Sequence, residues 1–220
     1  FTGAIANGDQ IVTITNSDAE NSGAGRRWNL IANPFPSYLN ANDNADGTNN
    51  FLHGIPHFAI SIGLEKNNEI IAGMIFDPIK NEMFFAEKGR GAYLNNSRIR
   101  VSSRNIIADS IALTGGPAYA EPNKKIFYEE YIAISNNFNQ VRKLGSAALD
   151  LAYIAAGRAE IFWHKNLKYW DIAAGLIIVR EAGGTITDFR GKTFDLTNNQ
   201  LLATNSRLDN ETSKILSSIK

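Results

Sequence analysis

Apolar and polar residues alternate along much of the first half of the chain, and a period of two residues is typical of a half-buried β-strand. Two alternating runs, at residues 58–64 and 70–76, flank the pair Asn67-Asn68. Asn tolerates the backbone angles of a tight turn, so this arrangement predicts a β-hairpin. Further short runs of the same kind are found at residues 10–15, 28–31, 83–85, 92–94 and 99–101. We therefore predict an antiparallel meander from residue 58 onward, preceded by short strands.

The spacing of apolar residues changes after residue 110, where helical and strand-like patterns follow one another. Helices are predicted at residues 123–138, 146–156, 171–182 and 208–219. Strands are predicted at residues 111–114, 141–144, 160–163, 185–188 and 201–205. Contiguous hairpins followed by alternating helices and strands indicate an α+β fold in which sheets and helices form layers.

The composition narrows the functional classes. Lys plus Arg and Asp plus Glu both number 22, so the chain has no net field that attracts nucleic acid or an anionic membrane. It has no cysteine, which excludes disulfides, thiolate metal sites and a cysteine nucleophile. No window reaches the roughly 18 apolar residues of a membrane span, and the first residues carry no secretory signal. We expect a soluble, cytoplasmic protein with no nucleic-acid or membrane partner.

Three aspartates stand where hard metal ions could be bound. Asp171 directly precedes a nearly all-apolar helical pattern, and Asp43 and Asp46 lie three residues apart in an Asn-rich loop. Carboxylate and carbonyl oxygens are the ligands that Mg²⁺ prefers in proteins. By position alone, however, Asp171 is better interpreted as a plain helix N-cap, and the other two aspartates as ordinary turn residues.

The strings around these aspartates carry a stronger signal than the aspartates alone. Asp43-Asn44-Ala45-Asp46-Gly47-Thr48-Asn49-Asn50-Phe51 and Trp170-Asp171-Ile172-Ala173-Ala174-Gly175 resemble the two signatures of the inositol monophosphatase family of magnesium-dependent phosphatases. The resemblance covers about residues 43–220 and implies a layered αβαβα sandwich from which the N-terminal helices are missing. It also implies a site in which Mg²⁺ is held by the following groups: Asp43, the carbonyl of Ala45, Asp46 and Asp171.

The same resemblance implies roles for neighbouring residues. Asp46 and Thr48 would be catalytic, with Thr48 touching the attacking water. The amides of Gly47 and Thr48 open a short helix whose N-terminus can accept a phosphate. The implied substrate-binding set is Asp46, Gly47, Thr48, Gly145, Ser146, Ala147, His164 and Asp171.

The turn at residues 142–150 supplies part of this set. Locally it is an ordinary strand-to-helix turn capped by Ser146, and that is the better interpretation of the string by itself. In the family this turn lines the polyol pocket, and the residue at Ala147 touches the substrate. The family has a Glu seven residues before the Asp of the second signature, and this chain has His164 there. The preference among sugars and polyols is therefore open.

Residues 1–42 do not match the family. Family members carry two helices and a Gly-Glu-Glu segment upstream, and its Glu binds metal and helps to activate the water; this segment contains neither. It is β-rich and resembles secreted bacterial surface proteins, so we predict a non-family segment at 1–42 joined to a phosphatase-like domain at 43–220. Phe1 in place of an initiator Met suggests a piece of a longer protein.

These features lead to one main functional hypothesis and two alternatives. The main hypothesis is Mg²⁺-dependent hydrolysis of a phosphate monoester of inositol or a related sugar or polyol, impaired by the missing Glu. A nucleotide or histidinol phosphate is an alternative substrate that His164 leaves open. A non-catalytic phosphatase-like or β-rich surface protein is the alternative from another class. The resemblance also allows a homodimer, since many family members are dimers.

Overall fold

A computed structural model describes residues 46–117, 124–197 and 200–219, together with the backbone of two strands at 11–14 and 28–33. Seven strands form one antiparallel sheet in which each strand pairs with the next along the chain. The strands are β1 Ile11–Ile14, β2 Trp28–Asn33, β3 Ile60–Lys66, β4 Glu69–Asp77, β5 Glu82–Glu87, β6 Gly91–Leu94 and β7 Ser97–Ile99. The predicted meander is thus confirmed, and Asn67 and Asn68 both adopt the positive φ that the tight β3–β4 turn requires.

A second sheet of five strands is mixed. Its strands are β8 Ile111–Thr114, β9 Gln140–Arg142, β10 Ile161–Lys165, β11 Thr185–Thr187 and β12 Gln200–Thr204. They lie in the order β11-β12-β10-β8-β9, with parallel pairs between β8 and its two neighbours and antiparallel pairs elsewhere. The carboxyl ends of the parallel strands β8, β9 and β10 therefore meet at one edge of the sheet.

Five α-helices accompany the two sheets in the described residues. They are α1 Thr48–Leu52, α2 Lys124–Ser135, α3 Ala147–Ala155, α4 Tyr169–Glu181 and α5 Asp209–Ser217. Helices α3 and α4 lie between the two sheets, and their apolar residues join the inward faces of both sheets in one buried core. Helix α4 packs closely on the large sheet because small residues face it: a Cβ on Gly73 would stand 2.7 Å from the carbonyl oxygen of Ala174.

Helices α2 and α5 cover the far side of the second sheet. Trp163 and Leu202 of that sheet pack there with Ile134 of α2 and Leu216 of α5. The described residues thus form four successive layers, sheet–helices–sheet–helices, which confirms the predicted α+β sandwich. The outer face of the large sheet stays partly exposed; Met83, for example, is 39% exposed. Within the residues described, none of the helices has both the length and the apolar character needed to span a membrane.

Two sequence-based assignments at element ends are wrong. Asp171 is not the N-cap of α4, because the helix begins two residues earlier, at Tyr169, with Lys168 at the cap. The Tyr169 hydroxyl donates a hydrogen bond to Glu65 Oε2 of β3 (2.6 Å), which anchors this extra turn on the large sheet. The strand predicted at 99–101 ends at Ile99, and the Val101 amide instead donates to the carbonyl of Ala182 at the end of α4.

Candidate active site

A single cavity of about 380 Å³ brings together most of the predicted site residues. Those that line it are Asp46, Gly47, Gly145, Ser146, Ala147, His164 and Asp171. Thr48 follows Gly47 at the start of α1 and is 3% exposed, and its hydroxyl oxygen has no hydrogen-bond partner among the described residues. Asp43 and Ala45 lie outside the described residues, so their roles stay predictions.

Asp46 is held by the N-terminus of α3. Its Oδ2 accepts hydrogen bonds from the Ser146 hydroxyl (2.8 Å) and the Ala148 amide (3.0 Å). The Ser146 oxygen in turn accepts from the Leu149 amide (3.3 Å), so one serine caps the helix and orients the carboxylate. Burial raises the pKa of Asp46 to about 6, against these hydrogen bonds, which lower it.

Gly47 and Asn50 fix the Asp46 segment against the rest of the domain. Gly47 has a φ of 77°, and a Cβ there would lie 2.8 Å from the Cα of Phe58, so only glycine fits. Asn50 of α1 donates from Nδ2 to the carbonyls of His57 (2.8 Å) and Leu144 (2.9 Å). These bonds fix α1 beside the turn that precedes α3 and thereby fix the position of Asp46.

Asp150 is a site residue that the sequence analysis missed. It lies in the first turn of α3, lines the same cavity and is 1% exposed. Neither of its carboxylate oxygens has a hydrogen-bond partner among the described residues. Burial raises its pKa well above the usual range, and the nearby charge of Asp46 raises it further. The sequence signal was available, because Asp150 is the one charged residue in an otherwise apolar helical run.

Asp171 lines the cavity although it lies 125 residues after Asp46 in the sequence. It lies in the first turn of α4 and is 3% exposed. Its location next to the cavity follows from the packing of α4 on α3, where a Cβ on Gly175 would overlap Leu151 at 2.4 Å. The close contact between these helices brings the beginning of α4 to the beginning of α3, and with it Asp171 to the cavity that Asp46 lines.

The oxygen-rich lining suits a hard divalent cation. Asp46, Asp150 and Asp171 supply carboxylates, and the unpartnered oxygens of Asp150 and Thr48 are left available for a ligand. Within the described parts of the chain, no group of three or more His, Cys, Asp or Glu side chains is arranged closely enough to hold a metal ion by itself. Asp43 and Ala45 would have to contribute for the predicted ligand set to be complete.

His164 forms a different part of the wall. Its Nδ1 lies 2.5 Å from its neighbour Lys165's carbonyl oxygen, which can only accept, so Nδ1 carries a proton. Its Nε2 lies so close to Gly115 that a Cβ there would stand 2.2 Å away. Burial lowers the pKa of His164, and the charge of Lys143 lowers it further, against hydrogen bonds to the backbone.

Comparisons with known proteins agree with this architecture. A sequence profile of the inositol monophosphatase family matches residues 43–220. An inositol-1-monophosphatase of Rhizobium meliloti is 47% identical over 149 residues, which are 68% of this chain and 56% of that protein. A protein of Pasteurella multocida named Nus factor SuhB is 41% identical over 77% of this chain and 63% of its own length. The solved inositol monophosphatase of Anabaena superposes with a TM-score of 0.79 at 32% identity, over 88% of this chain and 73% of that one.

The chain spans less than two thirds of the length of the two relatives named first.

Proposed function

Because this chain belongs to the inositol monophosphatase family, we propose that it hydrolyses a phosphate monoester of inositol or a related sugar or polyol with the help of Mg²⁺. The observation that carries the proposal is that the buried side chains of Asp46 and Asp171 line one cavity although more than a hundred residues separate them in sequence. Buried carboxylates cost free energy unless a cation or hydrogen bonds compensate for their charge. A shared cavity with three of them is therefore most simply explained by a cationic ligand.

The metal ligands in this proposal are Asp43, the carbonyl of Ala45, Asp46 and Asp171. Mg²⁺ bound in such a site neutralises charge on phosphoryl oxygens and lowers the pKa of a bound water. Phosphate monoesters are among the slowest substrates to hydrolyse unaided, and both effects lower that barrier. Asp150, in the first turn of α3, would add a further carboxyl oxygen to the same site.

The protein's own groups position the reactants. The α3 N-terminus and Ser146 fix the Asp46 carboxylate through its Oδ2. The buried Thr48 hydroxyl is free to hold the attacking water, and the Gly47 and Thr48 amides would face a phosphate oxygen. The residues Gly145, Ser146, Ala147 and His164 would contact the alcohol part of the substrate.

We expect the turnover of this chain to be weak. The family's upstream Glu would supply a metal ligand and part of the water activation, and residues 1–42 contain no Gly-Glu-Glu segment. Loss of a group that acts in the transition state commonly costs about a hundredfold or more in rate.

The direct test is phosphate release from myo-inositol 1-phosphate, with and without Mg²⁺, by the intact chain and by Asp171→Asn. Asp109→Asn is a matched control, because Asp109 is exposed and outside the cavity. We expect Mg²⁺-dependent release from the intact chain and the control and none above background from Asp171→Asn. Equal release by all three proteins, or none by any, would favour the non-catalytic alternative.

The partners in this proposal are limited to a small phosphate monoester and, as a prediction from the resemblance, a second copy of the chain. The zero net charge supports the expectation of no nucleic-acid partner. Because one relative is named a Nus factor, that expectation should be checked by a binding assay with RNA.

A further inference from the structure

The wall of the cavity beyond the carboxylates has a different charge. Gly115, Gly116, Phe127 and His164 line it, and Lys143 lies beside them; we call these five residues the basic wall. Among the described residues, the carboxylates that line the cavity are the three aspartates described above, and none of them belongs to this wall. The cavity therefore carries its carboxylates where a phosphate would be attacked, and the ammonium group of Lys143 lies directly beside the lining residues of the basic wall.

Lys143 supplies the charge of the basic wall. Its Nζ lies 5.4 Å from the centre of the Phe127 ring and next to Gly116, where a Cβ would stand 3.1 Å away. Within the described residues no carboxylate lies within 4.0 Å of this ammonium group. Lys165, by contrast, is paired with Glu130. The aromatic ring and the glycine thus hold Lys143 in place while its charge stays available for a ligand.

His164 positions the basic wall through its ring. Hydrogen bonds from the ring to the backbone of Lys165 and Gly116 tie β10 to the segment that follows β8. An imidazole ring, which carries no negative charge, occupies the place where the resemblance predicts a glutamate. Without that carboxylate the wall lacks the strongest acceptor for the hydroxyls of a neutral polyol, and among the described residues no carboxylate is paired with Lys143.

We propose that Lys143 and the Gly115–Gly116 backbone, positioned by His164, bind a second anionic group of the substrate. The substrate is then a phosphate monoester whose alcohol carries a further phosphate or a carboxylate, and not a neutral polyol phosphate. This inference rests on the proposed function, since it assumes that the first phosphate binds at the aspartates. The free space of about 380 Å³ accommodates a single ligand that reaches both parts of the cavity.

The test compares three ligands in Mg²⁺: fructose 1,6-bisphosphate, 6-phosphogluconate and myo-inositol 1-phosphate. Affinity is read from the ligand-dependent rise in Tm, which requires no turnover, and kcat/KM is measured where phosphate is released. Lys143→Glu should lower the affinity for the two doubly anionic ligands by about tenfold, since a hydrogen bond to a charged group contributes at least this much. The affinity for myo-inositol 1-phosphate should stay nearly unchanged. The relative loss for the bisphosphate and the phosphogluconate identifies which anion the wall prefers.

Two further variants separate the explanations. Lys125→Glu makes the same change in net charge at an exposed position of α2 outside the cavity, and it should alter none of the three affinities. His164→Glu places a carboxylate beside Lys143 and should shift the preference toward myo-inositol 1-phosphate. Equal effects of Lys143→Glu on all three ligands would overturn the inference while leaving the phosphatase intact. Failure of every ligand to bind or react would instead overturn the proposed function and this inference with it.

Discussion

Removal of the Ser146 hydroxyl tests how the fold sets the charge of Asp46. This hydroxyl donates to Asp46 Oδ2 at 2.8 Å and accepts from the Leu149 amide at 3.3 Å. Ser146→Ala should therefore have two separable effects. It removes a helix N-cap, which costs about 1 kcal/mol of the free energy of unfolding. It also removes a hydrogen bond to a carboxylate, which is worth about 1.5–3 kcal/mol.

The second effect appears as a change in pKa. A loss of about 1.5–3 kcal/mol corresponds to about one to two pKa units, in the direction that favours the protonated form. The pKa of Asp46, about 6 in the folded chain, would rise by that amount. Mg²⁺ competes with a proton for this carboxylate. The pH at which the Mg²⁺ affinity reaches half of its maximum should therefore rise by the same amount as the pKa of Asp46. At pH 7 the affinity should fall by roughly two- to tenfold, and it should recover above pH 8.5.

Isothermal titration with Mg²⁺ between pH 5.5 and 9 measures this directly. Ser146→Gly should give the same shift in pH midpoint with a smaller loss of stability, since glycine is nearly as good an N-cap as serine. Ser110→Ala is the matched control, because Ser110 is also buried but its hydroxyl donates to the carbonyl of Ile106, away from the cavity. An unchanged pH midpoint in both Ser146 variants would refute the argument that this hydroxyl sets the protonation of Asp46.

Three further predictions concern the stability of the fold. Without metal, the raised pKa of Asp46 means that the folded chain keeps a proton which the unfolded chain releases between about pH 3.8 and pH 6, so the free energy of unfolding falls as pH rises through this window. Asp46→Asn should therefore raise the free energy of unfolding by up to about 3 kcal/mol at pH 7 and change it little at pH 3.5. Urea unfolding at the two pH values measures this difference. Gly73→Ala should destabilise by about 1–3 kcal/mol, because its methyl group would overlap the backbone of α4, and an unchanged urea midpoint would contradict this packing. The Glu181 carboxylate accepts hydrogen bonds from the amides of Gly89 (2.7 Å) and Gly91 (2.8 Å). Glu181→Gln should therefore lower the Tm measurably without changing Mg²⁺ affinity. A changed Mg²⁺ affinity with an unchanged Tm would contradict this prediction.

The large sheet was predictable from sequence because apolar and polar residues alternate along its strands and because Asn residues mark its turns. Asn67-Asn68 and Asn95 adopt positive φ where the alternating runs are interrupted. Helix beginnings were harder, as α4 shows: Tyr169 and Trp170 precede the apolar run, and Tyr169 is anchored by its hydrogen bond to Glu65 of β3. A tertiary contact of this kind leaves no local pattern in the sequence.

The candidate site was predictable to the extent that it repeats known strings. The strings placed Asp46 and Asp171 in one site, and both line one cavity. They did not indicate Asp150 as a site residue, because a single charge in an apolar helical run does not show that its carboxyl oxygens are buried without partners beside the cavity. They also could not give the surroundings of His164, which are formed by Gly115 and Lys143, the residues that directly follow β8 and β9.

The central claim is that aspartates distant in sequence share a divalent cation, and Mn²⁺ binding measures it most directly. Electron paramagnetic resonance of free Mn²⁺ can be followed while the intact chain, Asp46→Asn, Asp171→Asn and the control Asp109→Asn are titrated at pH 7.5. We predict that the intact chain and the control bind Mn²⁺ equally and that each of the other two variants binds it at least about tenfold more weakly. Equal Mn²⁺ affinity in all four proteins would contradict the claim.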